Sequence, residues 1–73
     1  MATATLAVNF VENLKRACAR QNINQRQLAA ATGLHFVTVN RIFRGHMEPA
    51  VSTCETLARA AGIPPQKIFA EPR

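Results

Sequence analysis

The chain has 73 residues, 48% of them hydrophobic, and a formal net charge of +5. A chain of this length forms one domain with a modest core, because folding buries only about 60% of its unfolded surface. It has neither an apolar run of about 18 residues nor a secretory leader with a basic start and a cleavage site. These absences exclude a membrane partner, and we expect a cytoplasmic protein.

The basic residues are concentrated in the middle of the chain. No Asp or Glu occurs between Asn13 and Met47, and the four acids are Glu12, Glu48, Glu55 and Glu71. The acid-free segment holds six basic residues: Lys15, Arg16, Arg20, Arg26, Arg41 and Arg44. Surfaces without a polyanionic partner usually mix both signs, so this segment favours a phosphate backbone as partner. A basic face that serves only solubility is the alternative.

The first element is an amphipathic helix. Apolar residues recur at three- and four-residue steps from Leu6 onward, at Leu6, Phe10, Leu14, Ala17 and Cys18. Residues 1–5 carry no such pattern and are predicted to be a flexible tail. Asn22 suits the left-handed position that ends a helix.

The next two helices are separated by a glycine. Asn24 and Gln27 have the spacing of a capping box, which predicts the start of a second helix at Gln25. Gly33 ends it, because glycine takes the left-handed turn at little cost. A third helix is predicted from Phe36 to Arg44.

The C-terminal part predicts two more helices. The fourth has an apolar stripe, and Ser52 with Glu55 can form a capping box that starts it. Pro64 and Pro65 permit a short fifth helix with Ile68 and Phe69 buried. The fold prediction is therefore all-α, with five short helices over residues 6–70 and a tail at 71–73.

The cysteines and histidines do not indicate a metal site, a cofactor or an enzyme. Cys18 and Cys54 are too far apart in sequence for a metal-binding pair and lie on apolar stripes, so we predict buried, reduced thiols. His35 and His46 do not have the H-x-x-x-H spacing of a metal site. No small-molecule ligand is expected.

The third helix has an outward face that suits a DNA major groove. At about 100° per residue, Val39 and Ile42 point to one side, and the other side presents Val37, Asn40, Arg41 and Arg44. Arg41 can pair with both acceptors on a guanine edge. Asn40 can pair with adenine or hold a phosphate, and Val37 can pack against a thymine methyl. An exposed arginine that is merely solvated is the alternative for Arg41.

Three residues near this face have more than one interpretation. Phe36 lies at the edge of the core face, where packing is favoured over base reading. Arg26 contacts phosphate or is simply exposed. Gln25 is better placed, since it occupies the first turn of the second helix, where backbone amides and a side chain can face phosphate together.

The segment NQRQLAAATGLHFVTVNRIFRG resembles the helix-turn-helix of the phage-repressor/Cro-like family, also called the xenobiotic-response-element family. The similarity rests on Asn24-Gln25, Leu28-Ala29, Gly33-Leu34 and the Val39-x-x-Ile42 spacing. The tail LARAAGIPPQKIF, from Leu57 to Phe69, is similar to the last two helices of that family.

The resemblance implies a lambda-repressor-like fold that binds double-stranded DNA as a homodimer on a two-fold operator. It implies that Gln25 braces a phosphate and that Phe36, Val37 and Arg41 occupy base-reading positions. It also places Asn24, Arg44 and His46 near the DNA backbone. Dimer contacts in this family lie near the last helices, which makes Ile63, Ile68 and Phe69 the candidates here.

The chain departs from the family pattern at several positions. His35 and Ala50 stand where Ser or Thr commonly cap the third and fourth helices. Phe36 and Val37 are apolar where polar base readers are common. Either the DNA site is rich in thymine methyls, or this surface also meets protein.

Two functions follow from these features. The first is a transcriptional repressor that occupies an operator, and the second is a protein-interaction module such as an antitoxin, an adaptor or a phage accessory protein. The acid-free basic segment favours the first, because a surface that binds only protein does not need it.

Overall fold

A computed structural model describes the backbone of residues 2–71 and the side chains of residues 7–71. It contains four α-helices followed by a 3-10 helix: α1 (Ala2–Gln21), α2 (Gln25–Thr32), α3 (Phe36–Phe43), α4 (Val51–Ala61) and the 3-10 helix Pro65–Lys67. No strand occurs in this part of the chain, so the all-α prediction is confirmed there. None of the described helices is both long and apolar enough to cross a membrane.

Helix α1 is longer than its apolar stripe. Its backbone is helical from Ala2, whereas the stripe predicted a start at Leu6. The two differ because a stripe marks the part of a helix that packs against the core, while backbone hydrogen bonds can continue beyond it. The flexible tail at residues 1–5 and the C-terminal tail at residues 71–73 stay predictions.

The four helices share one core of apolar side chains. Its largest fully buried members are Phe10, Leu14, Leu28, Ile42, Leu57 and Val39, which come from all four helices. Cys18 and Cys54 are each only 4% exposed and belong to the same cluster. Neither thiol forms a disulfide, and the prediction that both cysteines are buried is confirmed.

The connection between α1 and α2 follows the sequence signals closely. Asn22 has a left-handed backbone with φ 61°. The Asn24 side-chain oxygen accepts a hydrogen bond from the backbone nitrogen of Gln27 at 2.8 Å, and Gln27 Oε1 accepts one from the backbone nitrogen of Asn24 at 2.9 Å. Gly33 ends α2 with φ 76°. The capping box and the glycine stop are therefore confirmed.

The start of α4 differs from the sequence prediction. The backbone nitrogen of Cys54 donates to the Ala50 carbonyl at 3.0 Å, which makes Ala50 the N-cap and Val51 the first helical residue. The capping box expected from Ser52 and Glu55 is therefore wrong. Neither Ala50 nor His35, the N-cap of α3, makes a side-chain capping bond.

The predicted fifth helix is not confirmed as an α-helix, because only the 3-10 turn Pro65–Lys67 forms after Pro64. Two asparagines of α1 bind the carbonyl groups that would continue a helix. Asn13 Nδ2 donates to the carbonyls of residues 67, 68 and 70 at 3.1, 3.2 and 2.8 Å. Asn9 Nδ2 donates to the carbonyl of Phe69 at 3.3 Å. The segment is thereby fixed along α1 while Ile68 enters the core.

Candidate nucleic-acid interface

Helices α2 and α3 form a helix-turn-helix with one free face. Helix α3 buries Val39 and Ile42 completely, which fixes its orientation in the domain. On the opposite side Val37 is 60% exposed, and Arg41 is also exposed. A short helix held in this way can enter the major groove with its outer side chains toward the bases.

A side-chain hydrogen bond joins the first turn of α2 to the middle of α3. Asn40 Nδ2 donates to Gln25 Oε1 at 3.0 Å, and both side chains are partly buried. Because the Gln25 oxygen is the acceptor, the amide nitrogen of Gln25 keeps its donors for another partner. The structure therefore brings together the residue expected to brace phosphate and one expected to contact DNA.

A cation–π contact connects the same two helices at another point. The Arg26 guanidinium carbon lies 4.6 Å from the centroid of the Phe36 ring. Such contacts stabilise by about 0.5–1 kcal/mol where they are exposed to solvent. Phe36 is 37% exposed, so the ring is partly packed and partly free. The contact places a cation of α2 directly beside the first residue of α3.

The remaining predicted backbone contacts lie at the ends of these helices. The side-chain oxygen of Asn24 is engaged in the capping box, so its contact with DNA is limited to groups not used there. Arg44 and His46 are exposed after the end of α3. The backbone nitrogen of His46 donates to the Arg41 carbonyl at 2.9 Å, which keeps this turn close to the last turn of α3.

The basic residues of this region are not neutralised within the protein. In the part of the chain with described side chains, the one ion pair joins Lys15 Nζ and Glu12 at 3.8 Å. Both partners are 48% exposed, and surface pairs of this kind contribute little to stability. The arginines of α2, α3 and the following turn thus present their charge to solvent.

The three candidate dimer residues have different surroundings. Ile68 is only 5% exposed and lies in the core of the protomer. Ile63 and Phe69 are partly buried and pack against that core. The rings of Phe69 and Phe10 have centroids 6.2 Å apart. Only Ile63 and Phe69 therefore have surface left for a second protomer.

The two cysteines lie apart from any reactive arrangement. Burial raises the pKa of the Cys18 thiol. Burial also raises the pKa of Cys54, with Glu48 and Glu55 acting in the same direction and a backbone hydrogen bond opposing them. The described residues contain no group of three or more potential metal ligands.

A family model described as Helix-turn-helix matches residues 14–68, which is more than half of the chain. The chain belongs to the Cro/C1-type helix-turn-helix family. This Cro/C1-type assignment confirms the family resemblance and identifies a DNA-binding domain of the kind used in transcription regulation. No curated protein and no solved structure matches the chain.

Sequence reasoning missed the two contacts that connect α2 and α3 in this Cro/C1-type domain. Asn40 and Gln25 are 15 positions apart, and no local spacing rule pairs them. The contact of Arg26 with Phe36 also depends on the angle between the helices. The composition of the turn predicted that the helices pack together, but not which side chains meet.

Proposed function

We propose that this chain is a transcriptional repressor that binds a palindromic operator as a homodimer. The observation that carries the proposal is the way α3 is held. Its inner face is fully buried, and Asn40 is bonded to Gln25, while Val37 and Arg41 remain exposed on its outer side. A rigid helix that exposes a valine and an arginine on its outer side suits base recognition in the major groove.

In this proposal Arg41, Val37 and Phe36 contact bases. Arg41 pairs with guanine, since its fork matches the two acceptors on the major-groove edge. Asn40 acts by holding Gln25, because its Nδ2 donates to Gln25 Oε1 and fixes the direction of that amide. Its role is therefore that of a positioning residue.

The phosphate backbone is bound by residues around this helix. They are Asn24, Gln25, Arg26, Arg44 and His46, which stand at the ends of α2 and α3 or in the following turn. Phosphate contacts supply much of the affinity, and each neutralised phosphate adds about 0.9 to the slope of log affinity against log salt. The absence of acids from Asn13 to Met47 supports this role, since no carboxylate in that segment competes with phosphate.

Dimerisation uses the C-terminal segment in this proposal. The exposed parts of Ile63 and Phe69 contact the second protomer, and Ile68 supports them from inside the core. Half-sites then lie about 34 Å apart, one turn of B-DNA. Repression follows from occupancy of the operator, and dimerisation makes that occupancy depend steeply on protein concentration.

The test is selection of bound sequences from a random duplex pool at near-physiological salt, with sedimentation of the complex to count protomers. Enrichment of a two-fold symmetric motif bound by two protomers supports the proposal. An asymmetric motif bound by one protomer removes the dimer and keeps the DNA function. Recovery of unenriched DNA contradicts sequence-specific repression.

The second candidate function is a protein-interaction module, and one observation favours it. Besides Phe36 and Val37, the chain exposes Val8 and Met47 beside a groove of about 370 Å³ between α1 and the turn after α3. Exposed apolar groups that lie together often mark protein-binding surfaces. Selection without enrichment, together with full retention of the fold, would favour this function over repression.

A further inference from the structure

We infer that Phe36 and Val37 recognise the C5-methyl group of a pyrimidine rather than the identity of the base, so that 5-methylcytosine can stand in for thymine in the DNA site. The inference rests on the proposed function and specifies the chemical group that this surface takes. It makes the domain sensitive to cytosine methylation.

The apolar surface comes from the first two residues of α3. Val37 is 60% exposed and Phe36 is 37% exposed, although the rest of α3 buries its large aliphatic side chains. The Arg26 guanidinium lies over the Phe36 ring at 4.6 Å from the centroid. The cation occupies one face of the ring and restrains its orientation, so the exposed remainder is a fixed apolar surface beside Val37.

This surface cannot distinguish the polar groups of the two pyrimidines. Valine and phenylalanine side chains have no hydrogen-bond donor or acceptor, whereas thymine and cytosine differ by a carbonyl acceptor and an amino donor. The methyl group of thymine lies on C5 in the major groove. In 5-methylcytosine the methyl group is on the same carbon. What the surface can sense is therefore whether a methyl group is present.

The exposed hydrogen-bonding residue on the same face lies one turn further along α3. Arg41 follows Val37 by four positions and points to the same side of the helix. Its fork suits guanine, which places a hydrogen-bonded base close to the methyl-bearing one. Asn40 Nδ2 donates to Gln25 Oε1 at 3.0 Å, and this bond directs its amide toward α2.

The experiment uses the duplex recovered by the selection described above. At each thymine of a half-site, four versions are made that contain T·A, U·A, C·G or 5-methylcytosine·G. Each comparison, T·A with U·A and 5-methylcytosine·G with C·G, changes only a methyl group. At the contacted position we expect the methyl group to raise affinity about fourfold in both comparisons, the value for burial of one such group.

The protein side of the test uses a matched pair of variants. Val37→Ala removes the proposed contact, and Val8→Ala makes the same change at a residue of nearly equal exposure, 61% against 60%. Alanine is the best helix former, so both variants are expected to fold. In the Val37→Ala variant we expect the methyl group to leave the DNA affinity almost unchanged in both comparisons. In the Val8→Ala variant the methyl group should still raise it about fourfold.

Several outcomes would overturn the inference. One is a selected site in which no methyl group changes the affinity, although the site is bound specifically; this leaves the proposed function standing. Another is a methyl group that raises affinity in thymine but not in 5-methylcytosine, which would show that the protein distinguishes the two bases themselves. A methyl effect that survives Val37→Ala and Phe36→Ala together would assign it to other residues. If selection enriches no motif, the proposed function and the inference both fail.

Discussion

Asn40 of α3 donates a 3.0 Å hydrogen bond to Oε1 of Gln25, the first residue of α2. The bond sets the direction of the Gln25 amide, because an oxygen that accepts from Asn40 leaves the Gln25 nitrogen facing elsewhere with its donors free. A phosphate oxygen accepts from such donors. In the proposed complex with DNA, the recognition helix α3 and the phosphate contact of Gln25 are connected through this pair of amides.

The first prediction concerns Asn40. Asn40→Ala should weaken binding to all duplexes by about fivefold, since one hydrogen bond of this kind contributes about 1 kcal/mol. Asn40→Asp should weaken it more, because a carboxylate cannot donate to Gln25 Oε1 and adds negative charge near phosphate. Affinities for the selected and for a scrambled duplex, measured by fluorescence anisotropy, test this.

The control for Asn40 is a double-mutant cycle. Gln25→Ala should have an effect similar to that of Asn40→Ala, and the double variant should be little worse than either single one, because both remove the same interaction. A loss of affinity for the selected duplex alone would instead indicate that Asn40 contacts a base.

The second prediction separates base reading from phosphate binding. Arg41→Ala should lose about 1–3 kcal/mol on the selected duplex and much less on a scrambled one. Arg44→Ala should weaken both duplexes alike and reduce the salt slope by about 0.9. Equal losses on both duplexes for Arg41→Ala would remove it from the base-reading set.

The third prediction compares the N-cap of α2, Asn24, with the N-cap of α4, Ala50. Asn24→Ala removes a capping box and should lower the free energy of unfolding by about 1 kcal/mol. Ala50→Ser adds an oxygen at a cap that makes no side-chain hydrogen bond and should raise it by a similar amount. Urea unfolding of both variants measures the two effects. A destabilising Ala50→Ser would show that the cap cannot accept the bond.

The fourth prediction concerns pH. Because burial raises the pKa of Cys18 and Cys54 in the folded protein, the unfolded chain loses these protons first as pH rises. The contribution to stability is therefore complete below the ordinary cysteine pKa of about 8.5 and declines from there toward the raised pKa. Urea unfolding from about pH 7 to about pH 9.5 should show this decline.

A double variant provides the reference for the pH experiment. Cys18→Ala with Cys54→Ala should be less stable at neutral pH, because two small buried groups are lost from the core. Its stability should nevertheless fall less steeply through the alkaline range. Parallel curves for the wild type and this variant would show that other groups cause the decline.

Much of the fold was predictable from local signals. Asn24 with Gln27, and Gly33 after α2, act through neighbours three or four residues away, so the sequence contains all the information needed. The same is true of the apolar stripes that bury the two cysteines. Rules for helix ends and helix faces were therefore sufficient to predict the helices of the helix-turn-helix.

The errors arose where local signals allowed more than one arrangement of the backbone. Pro64 and Pro65 permit a helix, but Asn13 binds three carbonyls of the segment that follows, and only one turn forms. At the start of α4, two N-caps were compatible with the sequence, and the helix begins at the earlier one, Ala50. At the interface, the partner of Asn40 depended on how α2 and α3 cross.

Among the described side chains only Lys15 and Glu12 form an ion pair, which has a consequence for how the domain responds to salt. A fold whose described arginines form no ion pair repels itself, and added salt relieves that repulsion, whereas the same salt weakens its attachment to DNA. Stability of the free domain should therefore increase over the range of ionic strength in which its DNA affinity decreases. A bound polyanion relieves the same repulsion as added salt, because it supplies negative charge next to the exposed arginines.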